Sequence, residues 1–306
     1  MKRVVLWALQ SKCNLNCRYC YFTFGSRKLE KDPIHRLVSS GKLQETIAKI
    51  AQYGDIVYLT GGEPTTLDSL LVDIVKQLSG LGKKVILTTN GVLTKRKLFD
   101  ELAKVGINGF LFSLDSFSQN QHNKYRSFWK ETVDSIAYVS NLSPDLINGI
   151  CMVVNKENLS QIKKTLVFAK SIGTNYFRLQ LIYLPKGHPL REKLLLSKSE
   201  LMLLRSQTDE LFEFANSINL KAPCKRKFIE MMDYLLKTPR YVDRCPVAEH
   251  LAFVTEDFSV VPCAAGAYLS NSEFKVKLGE SVRKPERCPK FSEDCACLWN
   301  LVYSEL

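Results

Sequence analysis

The chain has 306 residues, 45% of them apolar, enough to bury a full core in one large domain and a smaller one. Its 43 Lys and Arg against 31 Asp and Glu leave a formal charge of +12, and the apolar stretch near its start, Val4 to Leu9, is six residues long and runs into Gln10-Ser11-Lys12, which excludes an export signal. No run approaches the roughly 18 apolar residues of a membrane span, and ten cysteines without an export signal point to metal ligation or catalysis in a reducing cytoplasm rather than to disulfides.

A strand-then-helix rhythm occupies the first two thirds. Strands are expected at Val4 to Leu9, Ile56 to Thr60, Lys84 to Thr89, Gly109 to Leu114, Ile147 to Val154 and Tyr176 to Ile182, each short, apolar and closed by polar residues or glycine. Helical patterns fall between them, at Leu37 to Ala51, Leu67 to Leu78, Lys95 to Val105, Glu131 to Val139 and Leu159 to Ser171. Such alternation predicts an α/β fold whose parallel sheet is built by right-handed crossovers, with reactive groups gathered at the C-terminal ends of the strands. A helix-rich stretch, Ser199 to Asn216, closes this region, and a boundary is expected near residue 220.

Chemistry concentrates directly after the first strand, in Cys13-Asn-Leu-Asn-Cys17-Arg-Tyr-Cys20. Three closely spaced thiolates can hold three irons of a [4Fe–4S] cluster and leave the fourth free for a substrate or cofactor. A structural zinc site wants four ligands in paired arms, and no fourth Cys or His lies nearby. The second strand ends in Thr60-Gly61-Gly62-Glu63-Pro64, where glycines admit a close ligand and a carboxylate beside exposed peptide groups can bind an ammonium; a plain turn is the alternative. Thr88-Thr89-Asn90-Gly91 ends the third strand, with an Asn-Gly turn as its plainer reading. Strand period puts Ser113 and Asp115 on one face, both able to hydrogen-bond hydroxyl groups of a ligand. Asn155, and Arg178 with Gln180, are expected to face the barrel mouth, where a ligand would satisfy them.

The Cys-x3-Cys-x-aromatic-Cys spacing, followed one strand later by Gly-Gly-Glu-Pro, resembles the signature of the radical S-adenosylmethionine (SAM) superfamily. The resemblance implies a partial (β/α)6 TIM-like barrel over residues 1–220, with Cys13, Cys17 and Cys20 on a [4Fe–4S] cluster whose open iron chelates the amino and carboxylate groups of SAM. It implies that Gly61, Gly62, Glu63 and Pro64 hold the SAM amino group, that Tyr19 packs on adenine, and that Thr88, Asn90, Ser113, Asp115, Asn155 and Arg178 complete the cofactor site. An electron from a reductase such as flavodoxin or ferredoxin would then release a 5′-deoxyadenosyl radical that abstracts hydrogen.

Cys245, Cys263, Cys288, Cys295 and Cys297 crowd the last 62 residues. The first two flank Leu251 to Val254 and Phe258 to Val261, which read as a hairpin around Glu256-Asp257. A hairpin with a cysteine at each foot resembles the auxiliary-cluster domains called SPASM and twitch, here over residues 221–306. The resemblance implies that four of the five thiolates hold a second [4Fe–4S] cluster; a four-thiolate zinc site is the alternative. Cys151, facing the barrel, and Cys224 are candidate hydrogen-atom donors, with small core residues as the other reading.

The expected function is hydrogen abstraction from a peptide or natural-product scaffold, leading to epimerisation, dehydrogenation or crosslinking. With the first strand beginning at Val4, no room is expected ahead of it for a leader-peptide domain, which weighs toward a small molecule. A nucleotide or tRNA substrate is the alternative that the basic balance favours, although no aromatic-interleaved nucleic-acid motif accompanies the charge. A non-catalytic iron–sulfur electron carrier is the alternative from another class, and it would have no use for the Glu63, Ser113 and Asp115 constellation.

Overall fold

Six apolar strands, β1 (Val4–Ala8), β2 (Ile56–Thr60), β3 (Lys84–Thr89), β4 (Gly109–Ser113), β5 (Ile147–Val154) and β6 (Tyr176–Leu181), lie side by side in chain order and pair in parallel. The computed structural model describes residues 3–20, 33–92, 96–184, 187–236, 250–262 and 275–281. Nearly every residue of these strands is buried, as expected of a parallel sheet covered by its crossover helices.

Neighbouring strands lie about 4.8 Å apart, so β2 and β6, four positions apart, would be roughly 19 Å apart in a flat sheet. Yet the guanidinium carbon of Arg178 on β6 sits 5.6 Å from the ring centre of Tyr58 on β2. The sheet therefore curls until these strands face each other across a lumen. Alternate residues point inward, and the strand ends frame an open mouth.

The crossover helices are α1 (Pro33–Ser39), α2 (Leu43–Ala51), α3 (Ser69–Gly80), α4 (Lys97–Lys104), α5 (Gln119–Asn123), α6 (Trp129–Val139) and α7 (Ile162–Ser171). The single helix expected from Leu37 to Ala51 is in fact two. Gly41 adopts φ +69°, a left-handed conformation that ends α1 before α2 begins. The helix-rich stretch expected from Ser199 to Asn216 consists of two helices parted at Gln207, α9 (Lys198–Ser206) and α10 (Thr208–Ser217), after the one-turn α8 (Arg191–Leu194). A capping box between Ser197 and Glu200 opens α9. A further helix, α11 (Lys225–Leu236), packs on α9 and α10 and buries Phe228, Met231 and Met232.

The expected hairpin is present as β7 (Leu251–Val254) and β8 (Ser259–Val261), with β9 (Val276–Lys277) beside it. It attaches to the barrel: β7 pairs in parallel with β1, from Val4 opposite Leu251 to Trp7 opposite Val254. The nine strands form one sheet in the order β6-β5-β4-β3-β2-β1-β7-β8-β9. Among the described residues no helix is long and apolar enough to cross a membrane.

Candidate active site

The cysteine loop leaves β1 and crosses the mouth of the barrel. Its course is set by contacts with the end of β2: Leu9 N donates to Thr60 O at 2.9 Å, Gly62 N to Gln10 O at 2.7 Å and Glu63 N to Lys12 O at 2.7 Å. The Gln10 carboxamide returns the contact, donating to Glu63 O and to Thr66 Oγ1. A Cβ on Gly62 would lie 1.8 Å from Lys12 O, and one on Gly61, at φ +124°, 2.6 Å from Gln10 O. The two glycines are thus required by the cysteine loop's own backbone, which was expected of a ligand.

Cys13, Cys17 and Cys20 line one cavity of about 170 Å³ together with Thr60, Gly61, Gly62 and Glu63 from β2 and its loop. Thr88, Thr89 and Asn90 from β3, Ser113 from β4, Cys151 and Val153 from β5, and Arg178 and Gln180 from β6 complete the wall. Most of these stand at or just beyond the C-terminal ends of the strands, while Cys151 and Arg178 lie in mid-strand. Among the described residues no three cysteine, histidine or carboxylate side chains converge tightly enough for a single metal ion. Three thiols on one cavity can ligate three different irons of a cubane, whereas a structural zinc site takes four ligands. Cys13 is the most exposed of the three, yet its sulfur faces the cavity: burial, with the charges of Glu63, Cys17 and Cys20, pushes the thiol up to about 11 against the Leu15 N–H. Burial also raises Cys17, opposed by Arg126.

Glu63 lies buried beneath the loop. Its carboxylate accepts from Thr65 N at 3.1 Å, Thr65 Oγ1 and Thr89 Oγ1 at 2.7 Å, and Asn90 N at 2.8 Å, so it caps a 3-10 turn over Pro64–Leu67 and ties β2 to β3. Burial pushes its carboxyl up from the usual range while those donors pull it down. Glu63 lines the cavity together with Gly61 and Gly62, its carboxylate engaged by these four donors. Pro64 is buried behind it. Asn90 donates to Asn14 Oδ1 at 2.8 Å and lies 3.9 Å from Cys13 Sγ.

Asp115 does not line the cavity. Its Oδ1 accepts from Val153 N at 2.8 Å, and its Oδ2 from the Tyr19 hydroxyl and from Arg126 Nε. Tyr19 itself lines the cavity, with the Arg126 guanidinium 5.3 Å above its ring. Asn155 is also spent internally: its carboxamide accepts from Glu157 N at 2.9 Å and donates to Val153 O. Cys151 and Arg178 meet inside the cavity, Nη2 to Sγ at 3.5 Å, and Cys151 lies 3.8 Å from Gln180 Oε1. Cys224 sits at the start of α11, away from the cavity, its carbonyl accepting from Lys227 and Phe228. Cys245, Cys263, Cys288, Cys295 and Cys297 lie outside the described residues.

Arg126 was not singled out in the sequence. It lines the cavity, and its Nη1 lies 4.0 Å from Cys17 Sγ. Burial lowers its pKa, but Asp115 and Cys17 outweigh that and raise it. It follows a polar helix, where no apolar period signals burial. Gln10 was overlooked for a related reason: its partners, Glu63 and Thr66, come from the turn after another strand.

The sequence pattern of the Radical SAM superfamily matches residues 7–169, more than half of the chain. An AdoMet-dependent heme synthase of Methanosarcina barkeri is 28% identical over 173 residues, 56% of this chain and 48% of that protein. A probable GTP 3′,8-cyclase of Saccharolobus islandicus is 28% identical over 237 residues, 75% of this chain and 67% of its own length. The chain therefore spans only about half of the first relative. Streptococcus suis SuiB, in its crystal structure with the precursor peptide SuiA, superimposes with a TM-score of 0.66 over 97% of this chain and 64% of SuiB at 15% identity. Another SuiB structure holds S-adenosylmethionine. At that identity the likeness is one of fold. Matched pattern, curled parallel sheet and three thiols at the strand ends agree: the chain belongs to the radical SAM superfamily.

Proposed function

We propose that the enzyme reductively cleaves SAM and abstracts hydrogen from a peptide or natural-product substrate. One observation carries this reading: Cys13, Cys17 and Cys20 share a single cavity with the Gly61-Gly62 corner and the C-terminal ends of β2 to β6. A cluster bound there supplies the electron that cleaves SAM to the 5′-deoxyadenosyl radical. Cys13, Cys17 and Cys20 hold the cluster, and the peptide groups of Gly61 and Gly62 receive the SAM amino group while Glu63 and Pro64 keep their shape. Thr88, Asn90 and Ser113 bound the ribose side, and Tyr19 offers its ring to adenine. Asp115 and Asn155 serve this site by holding Tyr19, Arg126 and the turn after β5.

Cys151 is the candidate hydrogen-atom donor on the substrate side, since its sulfur lines the cavity; Cys224 could act only on a ligand reaching α11. We assign residues 221–306 to an auxiliary domain in which four of Cys245, Cys263, Cys288, Cys295 and Cys297 hold a second [4Fe–4S] cluster. A cytoplasmic reductase of the flavodoxin or ferredoxin class would feed the first. The peptide reading draws support from SuiB, crystallised with its precursor peptide. A nucleotide substrate is the second reading, supported by the charge of +12 and by the GTP cyclase relative.

Anaerobic reduction of the reconstituted protein with SAM is the test. Formation of 5′-deoxyadenosine by the wild type, and its loss in Cys17→Ala, is the expected result. Undiminished yield in Cys17→Ala would refute the ligand assignment. Deuterium transfer into 5′-deoxyadenosine from labelled peptides and nucleotides would choose between the substrates.

A further inference from the structure

Among the described residues, Arg178 is a buried cation without a carboxylate partner. It is 3% exposed and points from β6 across the lumen to the ring of Tyr58. Its Nη2 meets Cys151, but among the described residues Nε and Nη1 have no hydrogen-bond partner. Nε carries one N–H and Nη1 two, so three of the five guanidinium donors are unpaired. The groups acting on its charge are the Cys151 thiol and the Tyr58 and Tyr176 phenols, and the Tyr176 hydroxyl is itself buried without a partner. Burying an uncompensated guanidinium is strongly unfavourable, and buried polar groups are normally satisfied, so these donors await a ligand.

The second cation of the cavity behaves differently. Arg126 is neutralised by Asp115 and stands beside Cys17, at the cluster end. Arg178, third residue of β6, pairs with Cys151 in the middle of β5 and reaches Tyr58, two residues deeper along β2 than Thr60. It therefore belongs to the floor of the lumen, whereas the cysteines and the Gly61-Gly62 corner belong to its mouth. One uncompensated positive charge among uncharged neighbours suits a monoanion, which favours a carboxylate over a phosphate dianion.

We propose that the lumen floor is a carboxylate-binding site, in which Arg178 receives a carboxylate of the substrate and not the methionyl carboxylate of SAM. The inference rests on the SAM-cleaving reading above and narrows its substrates to molecules that carry a carboxylate on the part entering the barrel. The Tyr176 hydroxyl and the Gln180 amide stand on the same strand face to orient that group.

The experiment uses the reconstituted cluster-loaded protein with saturating SAM, and acetate and its neutral isostere acetamide as probes, each against matched chloride. Acetate raises the melting temperature of the wild type more than acetamide does, and this difference disappears in Arg178→Met. The dissociation constant for SAM, read from the change in the cluster's electron paramagnetic resonance signal, shifts by less than about threefold in that variant. Equal effects of acetate and acetamide overturn the proposal. So does a loss of SAM affinity of about tenfold or more in Arg178→Met, which would give the guanidinium to SAM. Should Arg178→Met fail to fold, Arg178→Lys, which keeps the charge on a shorter reach, is expected to retain part of the acetate effect, and the wild-type comparison decides without any variant. A wild-type signal indifferent to SAM sinks the parent reading instead, while the acetate arm is still read separately.

Discussion

Arg126 donates from Nε to Asp115 Oδ2 at 2.5 Å, and the pair is almost fully withdrawn from water, with side-chain exposures of 14% and 8%. It ties the end of β4 to the turn that follows α5, and both partners touch the cysteine loop. Tyr19 donates its hydroxyl to the same carboxylate, Arg18 N donates to Tyr125 O at 2.9 Å, and Arg126 Nη1 stands beside Cys17. Between them these contacts dock the middle of the loop, as Gln10 and Lys12 dock its start.

Removing one partner of a buried ion pair leaves a charge without compensation. Asp115→Ala is expected to destabilise the iron-free protein by about 3–5 kcal/mol, measured by urea denaturation. It should also lower iron uptake, because Tyr19 and Arg126 lose their common anchor. A loss below about 1 kcal/mol would show the pair to be solvated in solution.

Gly62→Ala tests the clasp at the other end of the loop. With Lys12 O 1.8 Å from the new Cβ, the backbone of residues 10–12 must move and take Cys13 with it. We expect most of the iron to be lost after anaerobic reconstitution, while far-ultraviolet circular dichroism stays that of the wild type. Full iron loading would mean that the loop tolerates displacement.

His122 is buried, and its Nδ1 accepts from Asp115 N at 3.3 Å. Burial lowers its pKa to about 4 from an ordinary 6.5, against the opposing pull of Asp115. The unfolded chain therefore takes up the proton first as pH falls. Stability that is complete above pH 6.5 declines from there down to about pH 4, by a loss on the order of 3 kcal/mol. His122→Gln should flatten stability across that window, measured by denaturation at a series of pH values. An unchanged slope would assign the acid sensitivity to other groups.

Iron content separates one cluster from two. About eight irons per chain after anaerobic purification are expected if the C-terminal cysteines hold a second cubane, against about four if they do not. Zinc in place of the second four would give those thiolates to a structural metal.

Most of the strands were legible because a buried parallel strand is a short apolar run closed by turn residues, a purely local pattern. Helix ends were less so. The break at Gly41 could be suspected from its glycine, while the position of the break at Gln207 carries no such local mark. The cysteine triplet and the Gly61-Gly62 pair were legible for the same local reason. Asp115 shows the limit: strand period placed it on the face of Ser113, but not the partners that turn it away from the cavity.

The sequence alone determined the cysteine spacing, the strand-ending glycines and the alternation of strands with helices, because each is set within a few residues of backbone. Tertiary structure alone decided which charges are paired and which strands meet. Arg126 finds Asp115, Arg178 finds no carboxylate among the described residues, and β7 adds to β1 across nearly 250 residues of chain. Curling of the sheet sets those distances, and curl belongs to all the strands together, so no local pattern can announce it.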